Sequence, residues 1–168
     1  CCLSFCTVAS TGYRSLMGSK AWRALTPYDS DVRRALSRIQ DEVFARGEFG
    51  FNHWLRSGYL RRAETPPEMP PEPLAQSIGH ARELSDPCGT CSVLDVYRIG
   101  RKPGFGVAGQ FPLKTLVARL STDRPTLDQL EPVLGEFYED LKRGHCAYFV
   151  CHTDGVPTHY LFVGMTPD

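Results

Sequence analysis

Apolar and polar positions along the chain sort into two periods. Val32, Leu36, Ile39 and Val43 recur at helical spacing, with Ala35 and Phe44 widening the stripe. Asp29 and Ser30 precede that stripe as caps and Gly47 follows it as a stop, which predicts a helix from about Asp31 to Arg46. A shorter helix is expected over Leu74 to Leu84, with Leu74, Ile78 and Ala81 inward. Pro112 suits the first position of a third, running to Leu120. Thr126-Leu127-Asp128-Gln129 is a capping box. Leu127, Leu130, Leu134, Phe137 and Leu141 form a stripe behind it, with Pro132 and Gly135 expected to kink the helix.

The period of two appears elsewhere. Ser92 to Ile99 reads as a central strand, with Val93, Asp95, Tyr97 and Ile99 on one face and Leu94, Val96 and Arg98 on the other. Neither face is cleanly polar, which suggests a strand covered on both sides. A return strand is expected over Phe105–Phe111. Asp154-Gly155 between Cys146–His152 and Thr158–Val163 signals a hairpin. With a two-residue turn, Cys151 would face Thr158 and Val150 would face His159. His152 and His159 would then be diagonal neighbours on one face, about 7–8 Å apart.

These elements predict an α+β fold. The expectation is a single domain with an antiparallel sheet of about four strands, covered by two main amphipathic helices in two layers around one core. Residues 1–16 read as a tail ahead of a plausible start at Met17, and residues 17–168 as the domain. Pro66, Pro67, Pro70, Pro71 and Pro73 mark a stiff loop at 65–73. Its Pro67-Glu68-Met69-Pro70 matches the spacing of a PxxP ligand, but matches that short are common by chance.

Charge narrows the partners. Nineteen basic and nineteen acidic residues cancel, so nothing in the global field calls for nucleic acid or an anionic membrane. The aromatic and basic run at 48–64, with Trp54, Tyr59, Arg61 and Arg62, is the one stretch suited to stacking on a single strand. No apolar run is long enough for a membrane-spanning helix, and the expected location is a reducing cytoplasm. The letters Gly104-Phe105-Gly106-Val107-Ala108-Gly109 match a dinucleotide fingerprint. They lack the strand before and the helix after that would cradle a phosphate.

The candidate chemistry centres on Cys88-Gly89-Thr90-Cys91-Ser92-Val93-Leu94-Asp95. Cys88 and Cys91 have the gap of two that lets both sulfurs reach one zinc ion. The other ligands would come from His145, Cys146, Cys151, His152 or His159. A nucleophile–base pair would join Cys91 or Cys146 to His152 or His159, with Asp95 orienting the base. Asp95 is the most informative residue: a carboxylate among Val, Leu and Tyr is costly to bury unless it is paired, hydrogen-bonded or neutralised.

The stretch Gly89-Thr90-Cys91-Ser92-Val93-Leu94-Asp95 resembles a G-T-H-S-I-L-D segment in a poorly characterised group of small, mainly actinobacterial proteins. Ala24-Leu25-Thr26-Pro27-Tyr28, Asp41-Glu42-Val43-Phe44 and the closing Phe162-Val163-Gly164 are similar as well. The resemblance implies a bacterial protein starting at Met17 and brings no activity with it. Cys91 stands where that group has His, which puts a metal or acid–base role there in doubt. Three functions follow as expectations. The first is a small module that binds a protein or small-molecule partner and expects no cofactor. The second is a hydrolase-like or transferase-like enzyme using Asp95, His152 and His159, with Cys91. The third is a zinc or thiol-switch protein on Cys88 and Cys91.

Overall fold

The computed structural model describes residues 19–50, 75–85 and 89–167. The stiff loop, Leu74, Cys88, the N-terminal tail and most of the aromatic–basic run lie outside them. The described elements are β1 (Ala21–Pro27), α1 (Val32–Arg46), α2 (Ile78–Leu84), a 3-10 turn (Val93–Asp95), β2 (Arg98–Gly100), β3 (Gly104–Phe105) and β4 (Val107–Gln110). They continue with α3 (Leu113–Leu120), α4 (Leu127–Leu130), a 3-10 turn (Glu131–Val133), α5 (Leu134–Glu139), β5 (His145–Thr153) and β6 (Val156–Met165).

The fold is α+β, as the patterning predicts, but the sheet differs from the expected one. Six strands lie in the order β1-β6-β5-β3-β4-β2, and the sheet is mixed. β4 runs parallel to β5 because α3, α4 and α5 form the crossover between them. β1 has no clear sequence signal. Trp22, Ala24 and Thr26 share one of its faces, but only Trp22 and Thr26 are fully buried, so the alternation is weak.

Helices cover both faces, so there are two cores rather than one. On one face Cys146, Tyr160 and Phe162 join Trp22 and meet Ala35, Leu36, Ile39 and Val43 of α1. On the other, Ala147, Phe149, Cys151, Leu161 and Val163 meet Leu116, Leu130, Leu134 and Phe137. Phe111, Phe137 and Phe149 form a triangle of rings with centroids 4.9 to 5.1 Å apart. The helix signals hold locally. Asp31 caps α1 and Gly47 closes it at φ +65°. The Thr126–Gln129 capping box is present, and Pro132 sits in the 3-10 turn that breaks the helix. Ser77 caps α2, which therefore starts later than expected.

The hairpin forms around Asp154-Gly155, both at positive φ (52° and 76°), but its register slips. Cys151 pairs with His159 and His152 with Pro157, leaving Thr158 as an extra residue in a β-bulge. Pro157 has no N–H for the ladder. The Thr158 carbonyl instead accepts from Tyr28 N at 2.8 Å, and His152 N donates outside the hairpin to Pro125 O at 2.9 Å. One inserted residue exchanges the faces. Val150 therefore faces Tyr160, and the expected diagonal pairing of His152 with His159 does not form.

The expected strand over Ser92–Ile99 is also corrected. Its first half is a 3-10 turn, and only Arg98–Gly100 joins the sheet, at its edge. Ser92 Oγ accepts from Leu94 N at 3.2 Å, and Asp95 N donates to Ser92 O at 3.0 Å. Such local bonds compete with a ladder. The carbonyls that a neighbouring strand would satisfy are capped by side chains. Gln40 Nε2 donates to Val93 O and Val96 O, and Arg82 donates to Leu94 O and Val96 O. Val93, Leu94 and Val96 are fully buried all the same, because the turn is packed into the first core.

Candidate binding cleft at Asp95

The loop ahead of the turn winds around the Asp95 carboxylate. Gly89 and Cys91 take positive φ (73° and 53°), which brings the Thr90 amide and hydroxyl to one oxygen. Asp95 Oδ1 accepts from Thr90 N at 2.6 Å and from Thr90 Oγ1 at 2.8 Å. Thr90 Oγ1 lies 2.9 Å from Ser92 Oγ; since Thr90 donates to Asp95, Ser92 is the donor in that contact. Gly89 is required on two counts. Its φ suits glycine, and a Cβ there would come 2.7 Å from Pro167 Cδ and 3.0 Å from Asp95 Oδ2.

Asp95 is 8% exposed, and burial pushes its carboxyl above the ordinary carboxylate range while the Thr90 donors, and after them the backbone amides of Ser92 and Cys91, pull it part of the way back. Oδ2 is buried with no hydrogen-bond partner among the described residues. The carboxylate therefore has one oxygen bonded twice by Thr90 and one that makes no well-formed hydrogen bond, although the backbone amides of Cys91 and Ser92 lie near the group.

Asp95 borders a cleft of about 180 Å³ between the 89–95 loop, α2 and the β2–β4 corner. Arg82 forms one wall. Its Nη2 donates to Val96 O at 2.8 Å, and its guanidinium lies 4.5 Å from the centre of the Tyr97 ring. Burial lowers its pKa, against the opposing pull of Tyr97 and Asp95. Tyr97 and Phe105 form the rest of the rim and are 61% and 62% exposed. Each ring packs closely against a glycine. A Cβ at Gly106 would collide with the Tyr97 ring, and one at Gly144 with the Phe105 ring. Backbone bonds tie this corner together: Tyr97 N to Gly106 O (2.8 Å), Gly106 N to Gly144 O (2.9 Å) and Gly144 N to Met165 O (3.1 Å).

The other candidate residues lie elsewhere or are closed off. Cys91 is buried in the same loop as Asp95, its Sγ 4.0 Å from Gly89 O. Cys146 lies near Asp95, and its thiol is pushed up to about 12 by burial and then by the Asp95 charge. Burial raises Cys151 to about 12 as well. Neither thiol is poised as a thiolate nucleophile. His152 lies six residues along β5 from Cys146, roughly 20 Å at strand rise. It lines a separate cleft of about 210 Å³ with Gln110, Leu116, Asp123 and Arg124. His159 faces Cys151 on one side and Pro27 on the other. Asp95 and the two histidines are thus not gathered in one cleft. Among the described residues no group of three or more His, Cys, Asp and Glu side chains is placed to hold a metal ion, and Cys88 lies outside them.

Arg82, Thr90 and the exposed ring of Phe105 belong to the cleft and are not among the candidates the sequence suggests. A glycine within a strand run can mark a close approach, and Gly106 in Gly104-Phe105-Gly106 is where the Tyr97 ring packs. Compared with protein-family models, with curated proteins and with solved structures, the chain finds no match in any of the three.

Proposed function

We propose that this protein is a binding module without chemistry of its own, and that the Asp95 cleft is its contact site. The observation that carries the reading is the pair of exposed rings, Tyr97 and Phe105, packed closely against Gly106 and Gly144 beside a buried carboxylate. Exposed aromatic side chains with fixed orientation supply contact area at low entropic cost, and they are enriched at interfaces. The separation of Asp95 from His152 and His159, and the raised thiols of Cys146 and Cys151, favour binding over a hydrolase-like or transferase-like reaction.

The test is a double variant, Tyr97→Ser with Phe105→Ser, in the full chain expressed in its own cells. Size-exclusion profiles of gentle lysates should show the wild-type chain in a larger complex and the variant shifted to its monomer size. The melting temperature of the variant should stay within about 4 °C, as expected of exposed positions. A variant that keeps the wild-type profile would contradict the proposal.

A further inference from the structure

On the premise of the binding reading above, the side chains of the cleft and its rim narrow what they take. The polar side chains that the lining offers are Arg82 and the Tyr97 hydroxyl, which makes no hydrogen bond among the described residues. The one carboxylate of the lining, Asp95, is buried. An occupant therefore has to bring acceptors rather than donors. Charge points the same way. Between Tyr97 and Phe105 the chain carries Arg98, Arg101 and Lys102, all exposed, and no acid; Lys142 and Arg143, also exposed, stand directly ahead of Gly144. No ion pair among the described residues takes up Arg98, Arg101, Lys102 or Lys142. The acids nearest to the lining residues in the chain are Glu83 on α2 and Glu139 and Asp140 after α5 begins its last turn, and Asp140 already pairs with Arg119 at 3.0 Å. The excess is positive, so the fitting occupant is acidic.

The two exposed rings select the backbone that carries those acids. Proline brings an apolar ring to an aromatic rim and has no N–H that would need an acceptor. In the polyproline II conformation its carbonyls are free to accept, and the extended shape is preformed, so little entropy is lost on docking. We infer that the cleft and its rim receive an acidic, proline-rich segment of a partner protein. Its prolines lie against Tyr97 and Phe105, a carbonyl accepts from the Tyr97 hydroxyl, and its carboxylates meet the rim cations. A single-stranded nucleic acid would also bring acceptors and negative charge, but a base needs a free ring face to stack on. The Tyr97 ring has the Arg82 guanidinium 4.5 Å from its centre and Gly106 packed against it. The chain as a whole also has no net charge to attract a polyanion.

The experiment is a titration of the full chain, followed by NMR and by anisotropy of labelled probes at low salt. The probes are repeat peptides of Glu-Pro-Pro, Lys-Pro-Pro and Glu-Gly-Ser, and a short oligothymidylate. The Glu-Pro-Pro peptide should bind about tenfold more tightly than the Lys-Pro-Pro peptide, the value of a few exposed ion pairs together. It should move the amide signals of Tyr97, Phe105, Gly106 and Gly144, and weaken as salt rises. Arg101→Glu with Lys102→Glu should narrow the difference between those two peptides, and Tyr97→Phe should weaken the Glu-Pro-Pro peptide by about threefold. Equal affinities for the two charge types, equal affinity for the Glu-Gly-Ser peptide, or shifts centred on His152 would overturn the inference. Tighter binding of the oligothymidylate at the same salt would assign the surface to nucleic acid instead. The chain itself carries acidic, proline-rich chemistry in Glu64-Thr65-Pro66-Pro67-Glu68. Self-association in sedimentation that is lost in Tyr97→Ser with Phe105→Ser would therefore overturn the assignment to another protein. If that double variant abolishes the cellular complex while the three peptides bind alike, the binding module stands and the acidic, proline-rich assignment fails. If the complex also survives, both fail.

Discussion

Thr90 places both its amide and its hydroxyl on one oxygen of Asp95, at 2.6 and 2.8 Å, and the second oxygen of that carboxylate is left without a donor. This pairing explains how a buried acid holds a loop in shape, and why it stands apart from an ordinary structural carboxylate. Held chiefly through one oxygen, it borders a cleft with an arginine and two exposed rings around it.

Replacing Asp95 separates the two oxygens. Asparagine keeps an acceptor for Thr90 and puts an amide nitrogen where Oδ2 stands, so Asp95→Asn should fold and change stability by about 1 kcal/mol or less. Asp95→Ala strands the Thr90 donors and should cost about 2–3 kcal/mol. Urea denaturation of both variants checks the difference. Equal losses would mean that the Thr90 bonds are not what the loop depends on.

The same residue sets a pH dependence with a definite sign. Its folded pKa is raised above the ordinary value of 3.8, so the fold favours the protonated form. The associated stability is fully present below the unfolded pKa and is lost as pH rises through the folded one. Asp95→Asn should flatten that part of the stability–pH curve. A curve unchanged by the substitution would show that the carboxyl titrates normally.

His145 should respond in the opposite direction. Burial, and secondarily Lys142, lower its pKa from the ordinary 6.5, so the fold favours the neutral ring. That contribution is present above the unfolded pKa and is lost as pH falls through the folded value. An imidazole NMR titration should place the His145 midpoint below that of a free histidine. Lys142→Ala should move it part of the way back up.

Gly89→Ala tests the loop geometry. An alanine at φ +73° is strained, and its Cβ would crowd Pro167 and the Asp95 oxygens. The variant should lose at least about 1–2 kcal/mol. Gly155 also has positive φ, but a Cβ there meets nothing within 4 Å. Gly155→Ala should therefore cost less than Gly89→Ala in the same denaturation assay.

The sequence carried the helices well because their signals are local: the Asp31 cap, the Gly47 stop and the Thr126–Gln129 box each act within one turn. The sheet was less accessible. β1 depends on a partner strand more than 130 residues away, Ala21 facing Met165, and only two of its seven positions, Trp22 and Thr26, are fully buried. The hairpin turn is legible in Asp154-Gly155, but the bulge at Thr158 is signalled only by Pro157, which lacks a ladder N–H. That single residue moved His152 away from His159 and dissolved the proposed pair. The run Ser92–Val96 has strand composition, yet Ser92 and Asp95 satisfy backbone and loop donors locally, and Gln40 and Arg82 finish the task from two helices. Asp95 itself was found for a sound reason, the cost of burying a carboxylate. Arg82 was missed because its role appears only once α2 lies beside the turn.

The most direct measurement is site-specific photo-crosslinking in the protein's own cells, with a benzoylphenylalanine placed at Phe105 on the cleft rim or at Leu113 near the His152 cleft. Both side chains are exposed, so the comparison is between two surfaces and not between burial states. Adducts of one discrete mass from position 105, weakened by Tyr97→Ser and absent from position 113, are the predicted result. Adducts from position 113 alone, or adducts at 105 indifferent to Tyr97→Ser, would contradict a contact site at Asp95.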